Sequence, residues 1–308
     1  MRYRYLLADV FTDRRFGGNP LAMFPDGRGL DTPTMQAVAR ELNLSETVFV
    51  LPPNDPAHTC RLRIFTPMLE LPFAGHPTVG SAFLLAHAGV IPLEGTHTHI
   101  VFEEGVGPVP VRLTQSVNAP LFAQLTTARL PSFDARAPSR EVLAALLSLQ
   151  PEDLLSDAYP PQFVSCGVPY LIVALRDRDA LRRARVDLAR APDLLDGAAL
   201  PELYLFTWQA DDPRADVSAR MFAPGVGVAE DPATGSAAAT LAGFLAQHAT
   251  KSAAGTLQWR IEQGVDMGRP SLIEIEADRD AAAAITAIRV GGASVFIGEG
   301  QLELPVNT

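Results

Sequence analysis

Three residues of this chain stand where their types and neighbours allow proton chemistry on a small carboxylate: His76 and Asp231, each followed by proline, and Glu46. His76 and Asp231 come from two stretches that read almost as copies. Arg63-Ile64-Phe65-Thr66-Pro67 leads to His76-Pro77-Thr78-Val79-Gly80-Ser81-Ala82, and Arg220-Met221-Phe222-Ala223-Pro224 leads to Asp231-Pro232-Ala233-Thr234-Gly235-Ser236-Ala237. The shared string places His76 and Asp231 at one position of a duplicated design. Each segment reads as a helix start, where unpaired N–H groups and the positive end of the dipole favour a carboxylate or phosphate. Gly75 before His76, and Gly235 with Ser236, let a ligand approach the backbone. Histidine is not a favoured N-cap, so His76 calls for another role, with a satisfied core histidine as the alternative; its imidazole would exchange protons near neutral pH. Asp231 before Pro232 is equally well explained as an ordinary N-cap. Glu46 alone would pass for a solvated side chain at the end of a helix.

The elements that must position these groups follow from pattern. Residues 5–11 read as a buried strand, Gly17-Gly18-Asn19-Pro20 as a turn, and 21–24 as a second strand. Thr32 as N-cap with Pro33 at the first helical position predicts a helix to about Leu42. Asn43-Leu44-Ser45 ends it, which puts Glu46 at the junction with a strand over 47–51. Another strand is expected over 61–66. The helices expected over 77–88 and 232–246 are apolar or small on nearly every side and should be buried all round. Linkers are expected at 115–120 and 131–138, a helix over 139–148 and a strand over 170–175. The tail over 285–304 alternates strand-like runs with glycines.

Two more matches follow in the same order: Gly18-Asn19-Pro20-Leu21 with Gly167-Val168-Pro169-Tyr170, and Glu46-Thr47-Val48-Phe49 with Glu202-Leu203-Tyr204-Leu205. The period is too long for a solenoid, so it implies a duplicated domain. The expected fold is α+β: two pseudo-symmetric lobes, each a curved, mostly antiparallel sheet around one central buried helix. The N-terminal lobe is expected over 1–118, joined by a C-terminal strand at about 293–308, and the C-terminal lobe over 119–292. An anionic substrate would sit in the cleft between them.

Composition narrows the field. With 308 residues and 47% hydrophobic content the chain can build about two packed domains. No segment has signal-peptide or membrane-span character, which makes the cytoplasm the expected compartment. Cys60 and Cys166 lack disulfide or zinc spacing. A net charge of −10 without a basic stripe argues against nucleic acid. The basic residues over 176–190 alternate with acids and read as a solvated helix face.

The motifs together carry a resemblance. Asp9-Val10-Phe11, Gly18-Asn19-Pro20, Leu44-Ser45-Glu46-Thr47, Ala74-Gly75-His76-Pro77-Thr78, Gly167-Val168-Pro169-Tyr170, Arg220-Met221-Phe222-Ala223-Pro224 and Glu230-Asp231-Pro232-Ala233-Thr234-Gly235-Ser236-Ala237 span almost the whole chain. It resembles the phenazine-biosynthesis isomerases, the PhzF-like proteins, which share the two-lobed fold of diaminopimelate epimerase. The resemblance implies cofactor-free isomerisation and a homodimer. It implies that Glu46 is the general acid/base, that His76 and Asp231 hold and polarise the substrate, and that Ser236 and the amides near Gly75 and Gly235 grip its carboxylate. The epimerase relatives use one thiol per lobe. Neither Cys60 nor Cys166 lies in the copied motifs, so a two-thiol racemase is disfavoured. A small-molecule-binding protein that kept the fold without turnover is the alternative.

Overall fold

The computed structural model describes residues 1–117, 119–249 and 254–304. The expected lobe boundary at residue 118 and the end of the expected C-terminal strand, 305–308, lie outside the described residues. The chain divides into two compact units, Met1–Ala128 with Arg289–Thr308, and Arg129–Ile288.

The first unit runs β1 (Arg2–Val10), β2 (Asn19–Phe24), α1 (Thr32–Leu42), β3 (Glu46–Leu51), β4 (Cys60–Phe65), β5 (Glu70–Leu71), α2 (Gly75–His87), β6 (His97–Glu104), β7 (Gly107–Ser116) and β8 (Ala119–Thr126). The second runs β9 (Ser132–Asp134), α3 (Arg140–Leu146), β10 (Gln162–Ser165), β11 (Pro169–Ala174), α4 (Arg178–Arg183), α5 (Ala191–Leu194), β12 (Leu203–Thr207), β13 (Val217–Ala223), β14 (Val228–Asp231), α6 (Gly235–His248), β15 (Gly255–Gln263) and β16 (Ser271–Arg279). The last strand, β17 (Ile285–Glu303), belongs to the first unit from Arg289 onward.

In the first unit β1 pairs with β2, β2 with β3, β3 with β4, β4 with β6, β6 with β7, β7 with β8, β8 with β17 and β17 with β1. The pairings return to their start, so the strands close a barrel, antiparallel except at β2–β3 and β4–β6. Helix α2 is buried from Gly75 to Leu85 without a solvent face. Its fit is tight: a Cβ on Gly80 would lie 2.6 Å from side-chain carbons of both Leu21 and Val10. In the second unit β10–β11 is antiparallel, β11–β12 parallel, β12–β13 antiparallel, β13–β15 parallel and β15–β16 antiparallel. The order of pairings is the same, and α6 is again buried along its length, from Ala237 to Ala246. Each unit is thus the expected sheet wrapped on one apolar helix, stabilised by roughly 2 kcal/mol for each large side chain taken out of water.

The duplication extends from shared letters to shared contacts. Glu103 accepts hydrogen bonds from the backbone N–H groups of Asn54 and Asp55 at 2.9 and 2.7 Å, and Glu262 accepts them from Asp211 and Asp212, both at 2.7 Å. Arg63 pairs with Glu70 while its guanidinium covers the Phe65 ring, and Arg220 pairs with Glu230 while covering Phe222.

Several expectations shift. The N-cap of α1 is Asp31, whose side chain accepts from the Thr34 N–H, and Thr32 is already helical. The first unit extends to Ala128 because β8 still pairs with β7 and β17. The expected linker over 131–138 contains β9, which pairs with β10. The basic cluster is not wholly solvated, because Arg178 is buried against Asp211 and Asp266. Among the described residues, no helix is long and apolar enough to cross a membrane.

Candidate active site

Glu46, His76 and Asn19 converge at one end of the first unit's barrel. Asn19 opens β2, directly after Gly18, which sits at φ +59°; a Cβ there would lie 2.1 Å from the Val10 carbonyl oxygen. Only glycine makes that turn without displacing the strand it abuts. Glu46 opens β3 and is paired in the ladder with Leu21, and His76 is the second residue of α2. The Nδ1 edge of the imidazole meets the Asn19 amide nitrogen at 3.2 Å and Glu46 Oε2 at 3.4 Å. Nε2 is buried with no hydrogen-bond partner among the described residues.

Histidine 76 is 3% exposed. Burial pushes its pKa down to about 3, against a smaller opposing effect of the Pro20 backbone. The ring is therefore neutral across the physiological range, and the expectation that it exchanges protons near neutral pH fails, because desolvation penalises the imidazolium. With the Asn19 amide donating to Nδ1, the neutral ring carries its hydrogen on Nε2. The Glu46 contact is then not an ion pair, and Nδ1, carrying no hydrogen, donates nothing to the carboxyl: the ring lies beside Glu46 as an uncharged neighbour.

Gly75 begins α2, and its N-cap, Ala74, has no capping side chain. Beneath this turn Thr78 Oγ1 lies 2.7 Å from the Ala74 carbonyl oxygen and 2.6 Å from Glu104 Oε1. Burial pushes Glu104 up to about 8, with the Thr78 hydrogen bond pulling the other way, so this carboxyl is largely protonated at neutral pH.

In the second unit Asp231 ends β14, opposite Met221. It is not the helix cap. Thr234 holds the N-cap position of α6 without a side-chain capping bond, because its hydroxyl donates to Asp231 Oδ2. Gln263 fixes the same turn: its Nε2 donates to the Asp231 carbonyl at 2.8 Å and to Thr234 Oγ1 at 3.0 Å. Gly235 and Ser236 are the first two residues of α6, and Ser236 Oγ lies 2.7 Å from the Tyr170 hydroxyl.

Ladder registers correct the equivalence of His76 with Asp231. Ala22 pairs with Thr47 and Thr47 with Phe65; Leu171 pairs with Leu203 and Leu203 with Phe222. Phe65 therefore corresponds to Phe222, and Ile64 to Met221. Ile64 faces Leu71 while Met221 faces Asp231, and Gly75 and Gly235 each begin the helix that follows. The structural counterpart of Asp231 is Leu71, and that of His76 is Ser236. The pairing of Glu46 with Glu202 holds, since each precedes by one residue the strand position shared by Thr47 and Leu203.

Motif reading quoted Asn19 without a role and passed over Thr234, Gln263, Glu104 and Glu202 as site residues. The Gly18-Asn19-Pro20 turn was the available signal for the first, and Thr234, three residues after Asp231, lies within the same helix-start motif; Gln263, Glu104 and Glu202 depend on pairings distant in sequence. Cys60 and Cys166 are buried, with both thiols pushed up to about 12 by burial, so neither offers a thiolate. Among the described residues no three His, Cys, Asp or Glu side chains gather as a metal site.

Comparison with known proteins matches residues 8–300 to the model of the phenazine biosynthesis-like proteins, PhzC-PhzF. A Mesorhizobium japonicum protein named "uncharacterized isomerase" is 42% identical over 302 residues, 97% of this chain and 98% of that protein. The trans-2,3-dihydro-3-hydroxyanthranilate isomerase of Pseudomonas fluorescens is 33% identical over 305 residues, 98% of this chain and all of that protein (100%). The crystal structure of a Bacillus anthracis phenazine biosynthesis protein of the PhzF family superposes with a TM-score of 0.88 at 24% identity, covering 99% of this chain and 100% of that one, which establishes the fold. Barrel topology, full-length similarity and the isomerase names of the relatives agree: the chain belongs to the phenazine biosynthesis-like family and is an isomerase.

Proposed function

We propose that the chain moves a proton between two carbons of a small cyclic carboxylate without a cofactor, with Glu46 as the single acid/base. The observation that carries this reading is the setting of Glu46 at the head of β3, its carboxyl 3.4 Å from a buried imidazole that stays neutral. A carboxylate here takes a proton from one carbon, the electron pair enters the substrate's π system, and the protonated Glu46 returns the proton at another carbon. Atoms and charge balance within one substrate, so no second reagent enters. The neutral Nε2–H of His76 donates to a polar substrate atom, and Asp231, held by Thr234 and Gln263, is assigned to a substrate donor group. Ser236 and the amides of Gly75 and Gly235 receive the carboxylate.

The relatives named for trans-2,3-dihydro-3-hydroxyanthranilate suggest the class: a ring bearing a carboxylate, with a hydrogen made acidic by adjacent unsaturation. The test is proton NMR in D₂O with that compound and a panel of small amino acid carboxylates. Wild type is expected to install deuterium at carbon, and Glu46→Gln to lose this by at least about a hundredfold while still binding. Undiminished exchange in Glu46→Gln would sink the mechanism; binding without exchange in wild type would favour a protein that holds its ligand and does not turn it over.

A further inference from the structure

Glu104 and Gln263 hold the same place in the two units. Cys60 pairs with Phe102 and Arg61 with Glu103 in the first ladder, and Val217 pairs with Ile261 and Ser218 with Glu262 in the second. Because Phe65 corresponds to Phe222, Cys60 corresponds to Val217, and the residue after Glu103 matches the residue after Glu262. Each side chain meets a threonine hydroxyl at the start of its unit's buried helix. Gln263 Nε2 lies 3.0 Å from Thr234 Oγ1, and Glu104 Oε1 lies 2.6 Å from Thr78 Oγ1.

The direction of the bond in the second unit is fixed, because an amide NH₂ only donates, and Thr234 passes its own hydrogen on to Asp231. Counting hydrogens imposes the same direction in the first. Thr78 Oγ1 carries one hydrogen and faces two oxygens, Glu104 Oε1 and, at 2.7 Å, the Ala74 carbonyl. A carbonyl cannot donate, so both contacts are filled only when Glu104 gives an acid hydrogen to Thr78 and Thr78 gives its hydrogen to Ala74. Glu104 Oε2 is buried with no hydrogen-bond partner among the described residues, which a neutral acid tolerates better than a carboxylate. Burial, which pushes the group up to about 8, agrees.

The Ala74 carbonyl and the Gly75 N–H belong to one peptide unit. That unit is planar and trans, so the two groups point in opposite directions within a single plane. Gly75 is the first residue of α2, and its N–H has no acceptor inside the helix. A hydroxyl on the carbonyl oxygen holds the plane and, by polarising the peptide, makes its N–H a stronger donor.

We propose that Glu104 works as a neutral acid, the equivalent of Gln263, and is a positioning residue: its hydrogen fixes Thr78, Thr78 fixes the Ala74–Gly75 peptide, and the Gly75 N–H is thereby set for the substrate carboxylate. The inference rests on the reading that the Gly75 amide receives that carboxylate. Ionised Glu104 can only accept; it takes the Thr78 hydrogen away from Ala74 and ends the relay. Cys60 on β4, pushed up to about 12 by burial, and His76 at the α2 start, at about 3, do not titrate in the same range. Glu103, which pairs with His58, is held down to about 2 by the backbone N–H groups of Asp55 and Asn54, and the β7 residue opposite Glu104 is Gly107.

Two measurements free of turnover test it. In amide NMR of the isotope-labelled protein without ligand, the Gly75 resonance is expected to shift with a midpoint at about 8 in wild type and to stay still in Glu104→Gln. Calorimetry with anthranilate, a carboxylate that cannot undergo the reaction and whose own groups titrate below neutrality, reads the consequence. Its affinity should fall about tenfold between about pH 6.5 and about pH 9.5 in wild type, as the loss of one hydrogen bond supporting a charged group predicts. It should hold in Glu104→Gln, whose amide donates to Thr78 throughout. Glu104→Leu and Thr78→Val should bind about tenfold more weakly at both pH values, so that glutamine rescues what leucine loses. If either of these does not fold, the comparison of wild type with Glu104→Gln decides alone. A Gly75 resonance that ignores pH, or an affinity that declines equally in wild type and Glu104→Gln, overturns the inference. A Gly75 resonance that follows Glu104 while anthranilate affinity stays flat, or absent anthranilate binding to wild type, refutes the carboxylate seat at Gly75 on which it rests. Lack of carbon exchange in wild type refutes the reading of Glu46 instead.

Discussion

His76 and Ser236 occupy the same place in the two units: each is the second residue of its buried helix, one turn of chain beyond the short strand that precedes it. The duplicated helix starts therefore offer a neutral ring nitrogen in one unit and a hydroxyl in the other. Asp231 stands apart from both, at a strand end whose counterpart, Leu71, is apolar. The acidic group of the second unit is an addition to the shared design rather than a variant of His76.

Neutrality of His76 has a kinetic consequence. His76→Gln is expected to slow the reaction about a hundredfold by displacing the Nε2–H donor, yet to leave the shape of the pH–rate profile between pH 5 and 8 unchanged, because the ring, at about 3, does not titrate there. A wild-type limb in that range that vanishes in His76→Gln would refute it.

The same ring should make the fold acid-sensitive. Its folded pKa of about 3 lies below the ordinary 6.5, so between those values the unfolded chain binds the extra proton and stability falls as pH drops. Urea titrations of wild type from pH 7 to 4 should show a loss on the order of a few kcal/mol, smaller in His76→Gln.

Glu104 acts in the opposite sense. Its carboxyl, pushed up to about 8 from 4.5, is protonated in the fold and ionised in the unfolded chain between those values, so its contribution declines as pH rises through that window. Glu104→Gln should match wild type near pH 4 and exceed it by on the order of a few kcal/mol at pH 9. Thermal unfolding at the two pH values checks this; an equal offset at both contradicts it.

The duplicated arginines should differ in weight. Arg220 is 5% exposed and also donates to the carbonyls of Leu181 and Ala184 at 2.9 Å, whereas the Arg63–Glu70 pair is partly solvated. Arg220→Ala is expected to cost about 3–5 kcal/mol in urea unfolding, and Arg63→Ala about 1 kcal/mol.

Much of the architecture was legible because it depends on local pattern. The two helices apolar on every side required a sheet around each, and the modest likeness of Glu46-Thr47-Val48-Phe49 to Glu202-Leu203-Tyr204-Leu205 marks a true ladder equivalence. The misleading signal was the repeated Gly-Ser-Ala. Gly80 lies inside α2, where it lets the helix sit against Leu21 and Val10, while Gly235 begins α6. Identical letters arose for different physical reasons, and Pro72 rather than Pro77 is the partner of Pro232. The neutral state of His76 and the burial of Arg178 were not legible, since both depend on what distant segments place over a side chain.

The closure of the first unit's barrel by β17 sets an order on biosynthesis. Arg2 pairs with Glu303 and Val10 with Ser294, so β1 waits for β17. The second unit is complete in sequence by Ile288, before that stave has emerged from the ribosome. The half that carries Glu46 and His76 therefore stays open until β17 is available, and until then β1 and β8 each present an unpaired edge.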